Sequence, residues 1–424
     1  MADVLRRPLG QSSSAAPAAP SRTFVGLIAA VAIGAALYGW LVYVSTFVRP
    51  GAIGINFNSV GTDWMVFHGA ARSFLGGHLA ILFDGDRFTS FLNQSYAKQL
   101  TMKLPFRPWV YPPSYLLLVL PFGLLEFMVS YVVFQLATAA ALGASVVASA
   151  GRDRATAFVI AGAALLSPAA AFNAASGQNA FLIAALLIAG VRLMRDRPML
   201  AGVVLGLLSI KPQLAIMAPI ALIAARQWRT LFAAAATAFA LTAASALVIG
   251  PEPWIIWLQQ TLANLVAPGA KWTEYGRMWG DSVWTCAVLL GAPPMLASIL
   301  QLAATLFSTV AVAVAFHRPF SQPVRIAVLL AATCLAAPYW SPYDAVLLAL
   351  AGLYWLSDRW RGERAVWPWI VALALWLAPL LSPPLIMPTG RLIPVLIAGF
   401  IAAAVWGTRP AAEPLSGKSI AQPA

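Results

Sequence analysis

Eleven long apolar runs, at approximately 23–48, 109–150, 156–176, 178–194, 199–225, 230–250, 283–316, 324–338, 343–357, 366–384 and 391–406, alternate with short arginine-bearing patches. A helix needs about 20 residues to cross ~30 Å of hydrocarbon, and backbone polar groups inside lipid must be satisfied within the helix itself. The runs therefore predict an all-α polytopic membrane protein. Composition agrees. The 424 residues are 61% hydrophobic and only 10% charged, where a soluble domain carries roughly 25% charged residues. The formal net charge of +13 would suggest nucleic acid in a soluble chain. Here the positive charges fall in short loops, where they set orientation in a bilayer, so no nucleic-acid partner is expected. Cys286 and Cys334 sit in apolar segments without CxxC spacing, which argues against a disulfide framework or a zinc site.

Run 23–48 is about twice as long as the apolar region of a signal peptide, and no small-x-small cleavage site follows it. It reads as a retained first transmembrane helix. Arg6, Arg7 and Arg22 precede it; Arg152 and Arg154, then Arg192, Arg195 and Arg197, then Arg226 and Arg229, then Arg318, then Arg359, Arg361 and Arg364, and last Arg409 follow. Placing all of these inside gives one consistent zigzag. The expectation is a multi-pass protein of the cytoplasmic (inner) membrane with both ends in the cytoplasm. Disordered tails are expected at 1–22 and 407–424, flanking a transmembrane domain at 23–406 with outer loops at 49–108 and 251–282. In the first loop, WMVFHGAARSFL has helical apolar spacing and predicts an interfacial amphipathic helix. The second loop is rich in Trp and is expected to lie along the membrane surface. Run 199–225 has arginine on both sides and Lys211-Pro212 at its centre, so proline should break it into two short helices. In all, about 10 to 13 transmembrane or re-entrant helices are expected, without the inverted repeats of many transporters.

An ionised residue deep in a bilayer costs about 2.5–3.5 kcal/mol on insertion scales, so polar residues in the apolar runs mark candidate sites. Lys211 reads either as a snorkelling lysine or as a cation facing an internal cavity, where its ammonium would suit a phosphate. Asp344, in PYWSPYDAVLL, reads as a helix cap or first-turn acid or as a cavity ligand. Gly177-Gln178-Asn179 is either an ordinary polar turn or a cavity wall. Asp63 is either an N-cap residue of the loop helix or an acid with chemical work. Asp84-Gly85-Asp86 reads more readily as a turn than as a metal site. The turns fall on the same side of the membrane and, with Lys211, predict a polar cavity open to the outside.

Five segments, in order, resemble glycosyltransferase family 87. Asp63-Trp64 followed by HGAARSFLGG is similar to the family's D-aromatic opening. Trp109–Leu125 (WVYPPSYLLLVLPFGLL) resembles its YPP segment, Ser176–Asn179 its GQ-N motif, Ala201–Arg229 its AG…KPQ…RxW block, and Pro338–Leu347 its late Pro-Tyr…Asp segment. The resemblance implies a GT-C-type membrane fold with a helical first outer loop. It also implies a hexosyltransferase that takes a sugar, with mannose expected, from a polyprenyl-phosphate carrier and passes it to a lipid or glycan acceptor at the outer face. In that fold an acid just after the first helix is the usual candidate base, which here is Asp63. Lys211 would meet the leaving phosphate, with Arg107 or Arg391 beside it, so no metal or cofactor is expected. Gln178, Asn179 and Asp344 would bind sugar hydroxyls, and Tyr111 with Pro112-Pro113 would wall the carrier's entry. His68 stands where the family usually has an aromatic such as Tyr and is expected to bear on the acceptor. The other reading is a multi-span transporter or lipid flippase, which the large outer loops disfavour.

Overall fold

The computed structural model describes residues 22–48, 60–100, 102–150, 153–266, 280–359, 365–381 and 389–407. The two expected tails, the start of the first outer loop, the middle of the second, and Arg6, Arg7, Arg152, Arg361, Arg364 and Arg409 lie outside the described residues. Among those described, the regular structure is helical throughout. The helices are α1 (Arg22–Val48), α2 (Thr62–Leu75), α3 (Gly85–Ser95), α4 (Pro113–Val119), α5 (Phe127–Ser149), α6 (Arg154–Leu165), α7 (Pro168–Ser176), α8 (Ala180–Leu193), α9 (Pro198–Gly206), α10 (Met217–Ala224), α11 (Trp228–Ile249), α12 (Glu252–Val266), α13 (Val283–Leu289), α14 (Pro294–His317), α15 (Gln322–Ala336), α16 (Val346–Arg359), α17 (Trp367–Leu377) and α18 (Ile393–Trp406), joined in places by single 3-10 turns.

Four of these, α5, α11, α14 and the Gly26–Val44 part of α1, are long and apolar enough to cross a bilayer alone. The other apolar helices have only 10–17 residues or form a bent pair, so much of the expected helix count consists of helices too short to cross alone. The breaks have local causes. Between α6 and α7 the chain bends by 55° at Ser167-Pro168. Pro168 has no amide to continue the ladder of α6, and the Ser167 hydroxyl accepts from the Ala170 amide to start the new helix. Run 199–225 is broken at Lys211-Pro212 as the proline predicts. Lys211 takes φ −139° and ψ 70°, in keeping with the exclusion of helical backbone before proline. The short helix α9 packs on α11 through Gly202 and Gly206. A β-carbon at Gly202 would lie 2.4 Å from that of Ala233, and one at Gly206 would lie 2.6 Å from the Ala234 carbonyl oxygen. Small residues four apart are how membrane helices bring their backbones together.

The first outer loop departs from expectation in one respect. Its helix α2 does not lie with one face on the membrane surface, because Thr62, Trp64 to Ala71 and Ser73 are all buried. The reason is that small residues on two sides of the helix let other segments close on it. A β-carbon at Gly69 would lie 2.4 Å from Leu92 of α3, and one at Gly123 would lie 2.7 Å from Ala71. On the other side Trp64 stacks on Phe134 with ring centroids 4.4 Å apart and donates to Ser130 Oγ at 2.8 Å, tying α2 to α5. In the second loop, α12 turns Ile255, Leu258 and Leu262 outward and reaches the first loop through Gln260 Nε2, which donates to the Phe83 carbonyl at 2.8 Å.

The start of α2 also meets the end of α7 backbone to backbone. Gly61 (φ 69°) precedes α2 and Gly177 (φ 76°) ends α7, both in the left-handed region that glycine adopts without steric cost. The Gly61 amide donates to the Ala175 carbonyl at 2.7 Å. A β-carbon at Gly177 would lie 2.5 Å from the Trp64 β-carbon and 3.3 Å from the Gly61 Cα. Gly177→Ala should therefore lower the thermal midpoint in detergent, losing about 1–3 kcal/mol from backbone strain and more from the clash. Gly143→Ala, a helical site with nothing within 4 Å, should leave it unchanged or raise it, since alanine outranks glycine by about 1 kcal/mol in a helix.

Candidate active site

The glycine contact sets Asp63, in the first turn of α2, beside the turn that joins α7 to α8. Asp63 does not cap its helix. The cap position is Gly61, with no side-chain bond to the first turn. Instead Asp63 Oδ2 accepts a hydrogen bond from Gln178 Nε2 at 2.9 Å, across 115 residues of sequence. Gln178 Oε1 accepts in turn from the Tyr111 hydroxyl at 3.2 Å. The next residue, Asn179, points its Oδ1 at Lys211 Nζ, 3.2 Å away. Lys211 Nζ also donates to Asp344 Oδ1 at 2.7 Å. The adjacent pair Gln178-Asn179 thus joins a carboxylate on one side to an ammonium on the other.

Lys211 and Asp344 form a buried ion pair, with side chains only 3% and 1% exposed. Lys211 does not snorkel; the break at Pro212 turns it inward, 5.3 Å from the centre of the Tyr343 ring. Asp344 sits in the 3-10 turn Pro342–Ala345 and completes a capping box with Ser341, its Oδ2 taking the Ser341 amide at 3.2 Å. It therefore serves both as a local cap and as the counter-ion. The Tyr111 and Tyr343 hydroxyls lie within electrostatic range of both Asp63 and Asp344, so the two carboxylates share the same two tyrosines as neighbours.

The remaining predicted residues lie apart or are less central. His68 is buried in α2, but its ring bonds elsewhere: Nδ1 to the Tyr96 hydroxyl at 2.6 Å and Nε2 to the Leu125 carbonyl at 3.1 Å. A carbonyl only accepts, so Nε2 carries the proton. Burial pushes the imidazole below its ordinary value, and a neutral ring links α2 to α3 and α5. Arg107 is buried, its amide held by Thr89 Oγ1 at 2.9 Å. Its neighbours Phe106 and Pro108 line a cavity of about 190 Å³, with Trp109, Phe83 and Gln260 of α12. That cavity stops one aromatic layer short of Gln178, since Trp109 contacts Tyr111 with ring centroids 5.8 Å apart. Arg391 lies within electrostatic range of Cys286, beside Asp281. Asp84 accepts from the amides of Asp86 and Arg87, making the DGD triplet a helix cap. Among the described residues no group of three or more His, Cys, Asp or Glu side chains could hold a metal ion.

Three residues at the site escaped the sequence reading. Gln135 Nε2 donates to the Gln178 carbonyl at 3.0 Å. Asn173 Nδ2 donates to Gln135 Oε1 at 3.0 Å, and Asn173 Oδ1 accepts from the Ala180 amide at 2.9 Å. Asp281 is buried, and Cys334 lies within electrostatic range of Asp281, Asp344 and Lys211 together. A lone amide within an otherwise apolar helix is the signal that would have found the first two.

A helical membrane protein with a carboxylate and an ammonium meeting at one buried amide turn is built for polar chemistry within a largely apolar body. Residues 109–338 match the family model of glycosyltransferase family 87, which is more than half of the 424-residue chain. The chain belongs to that family and is a membrane glycosyltransferase, which sets aside the transporter and flippase alternative. No curated protein and no solved structure matches it. The matched region contains Tyr111, Gln178, Asn179 and Lys211 but neither Asp63 nor Asp344; the hydrogen bonds above bring those two to it.

Removing one member of a buried ion pair strands the other and costs about 3–5 kcal/mol, whereas an apolar replacement of both is far better tolerated. Lys211→Met and Asp344→Leu should each depress the thermal midpoint in detergent strongly. The double variant should recover most of that loss while staying inactive.

Proposed function

We propose that this glycosyltransferase moves a hexose, mannose on the strength of the family resemblance, from a polyprenyl-phosphate carrier to a hydroxyl of a lipid or glycan acceptor. The reaction occurs at the outer face of the cytoplasmic membrane. The observation that carries this reading is the junction of Asp63 and Lys211 on consecutive residues, Gln178 and Asn179. The arginine patches on the opposite side of the zigzag support the outward placement.

In this mechanism the acceptor hydroxyl attacks the anomeric carbon as the bond from that carbon to the phosphate oxygen breaks. The proton passes from the hydroxyl to Asp63, and the bonding pair leaves with the polyprenyl phosphate. A hydroxyl is a poor nucleophile at neutral pH, and a carboxylate in reach removes its proton in the transition state. Gln178 engages Oδ2 of Asp63 and leaves Oδ1 to accept that proton. A phosphate leaves without protonation, so no acid partner is needed, unlike in hydrolysis of an ordinary glycoside. The ammonium of Lys211 has three donors. Two are spent on Asp344 and Asn179, and the third meets the phosphate as charge grows on it. Asp344, with one oxygen on Lys211 and the other on the Ser341 amide, acts as counter-ion rather than as the sugar ligand its position in the sequence suggested. Gln178 and Asn179 keep the sugar-binding role, and Tyr111 flanks the carrier's entry.

The test is incubation of purified protein with radiolabelled polyprenyl-phosphate-mannose and host membrane lipids, followed by lipid analysis. Asp63→Asn should retain the wild-type thermal midpoint and lose transfer by about 10²- to 10⁴-fold, the usual range for a positioned base. Near-normal turnover in that variant would remove Asp63 from the role. Absence of labelled product with the wild type would remove this donor.

A further inference from the structure

We infer that Gln135 and Asn173, which touch no substrate in the proposed reaction, are positioning residues that set the Gln178-Asn179 turn for catalysis; this rests on the functional reading above. Both are buried, at 7% and 0% exposure, and each uses one end of its amide on the turn and the other on its partner amide. Asn173 grips it from both ends. Its backbone carbonyl takes the amides of Gly177 and Gln178, each at 3.0 Å, and its side-chain oxygen takes the Ala180 amide at 2.9 Å. Gln135, reaching across from α5, clamps the Gln178 carbonyl between those ends at 3.0 Å and is itself oriented by Asn173 at 3.0 Å.

Amide pairs between membrane helices often serve only as glue. The destination of these bonds distinguishes them. One joins α5 to α7, from Asn173 Nδ2 to Gln135 Oε1, and orients the second amide; the others go to the turn. They land on Gly177, Gln178 and Ala180, the residues within and around the pair whose side chains hold Asp63 and Lys211. An apolar side chain could fill the space of Gln135, but the Gln178 carbonyl would then be buried without this partner. The turn would settle elsewhere, and the carboxylate and ammonium would no longer be fixed relative to each other. A misplacement of about 1 Å costs on the order of 10²-fold in rate. The loss should fall mainly on kcat, since neither amide touches the donor, with a smaller rise in KM through the displaced Gln178 and Asn179.

Gln135→Glu separates this role from simple packing. It keeps the volume and the acceptor for Asn173, but an ionised carboxylate faces the Gln178 carbonyl with no proton to give. Once protonated it donates again, and burial favours the protonated form. The ratio of variant to wild-type transfer should therefore be low at about pH 8 and rise severalfold toward about pH 5.5, because a carboxylate takes up its proton as pH falls. Gln135→Leu should lower kcat about 10- to 100-fold at every pH, with a smaller rise in the KM for the polyprenyl-phosphate sugar. Independently of any substrate, amide hydrogen exchange over residues 177–180 should accelerate in Gln135→Leu relative to the wild type.

Unchanged exchange at the turn overturns the inference, whatever the activity. So does a pH-independent ratio for Gln135→Glu, or a Gln135→Leu variant with normal kcat. Altered exchange without any transfer from the donor by the wild type leaves the positioning in place and removes the donor assignment instead.

Discussion

A charge in a low-dielectric interior must find its opposite. The pair Lys211–Asp344, at 2.7 Å and almost wholly buried, is where this constraint acts on the protein. Apolar packing between helices in lipid is permissive, because lipid tails are as apolar as side chains. An ammonium and a carboxylate are not permissive, since each uncompensated charge costs several kcal/mol. Their pairing draws the break after α9 to the turn before α16, across 133 residues. Asn179 joins this junction as a neutral acceptor, so the α7–α8 turn is brought to the same point.

The opposite side of the site is assembled by a different force. Asp63 is delivered by steric fit of two bare backbones at Gly61 and Gly177 and by burial of Trp64 against Phe134. One half of the site is set by electrostatics and the other by close packing, and Gln178-Asn179 is where they meet. The buried amides of Gln135 and Asn173 brace that meeting point from behind. Polar groups so placed inside a membrane helix bundle are expensive unless they are paired, and each of these is paired.

Much of this was legible in the sequence. The helices follow the apolar runs, the Lys211-Pro212 break falls where proline's missing amide demands it, and the ordered motifs pointed to the family. Other features depend on contacts that local patterns do not carry. The spacing in WMVFHGAARSFL is that of an amphipathic helix, but it cannot tell lipid from protein as the covering. Gly69 and Ala71 decided for protein by admitting Leu92 and Gly123. Asp63 reads as a cap because acids favour helix starts; Gly61 holds that position instead. The ring of His68 bonds Tyr96 and Leu125, 28 and 57 residues away, partners that no local pattern announces. Asp344 was expected either as a cap or as a ligand, and the structure gives it the cap together with an ion pair.

The meeting of Gly61 with Gly177 has a mechanical consequence. Two main chains in contact, with no side chain between them to change rotamer, make a stiff weld, since close-packed protein resists compression. The loop carrying Asp63 and the elbow carrying Gln178 must then move together as one solid piece. Any yielding falls to the other seam, where a flexible four-carbon lysine stem spans to Asp344 and can lengthen its reach without disturbing the weld.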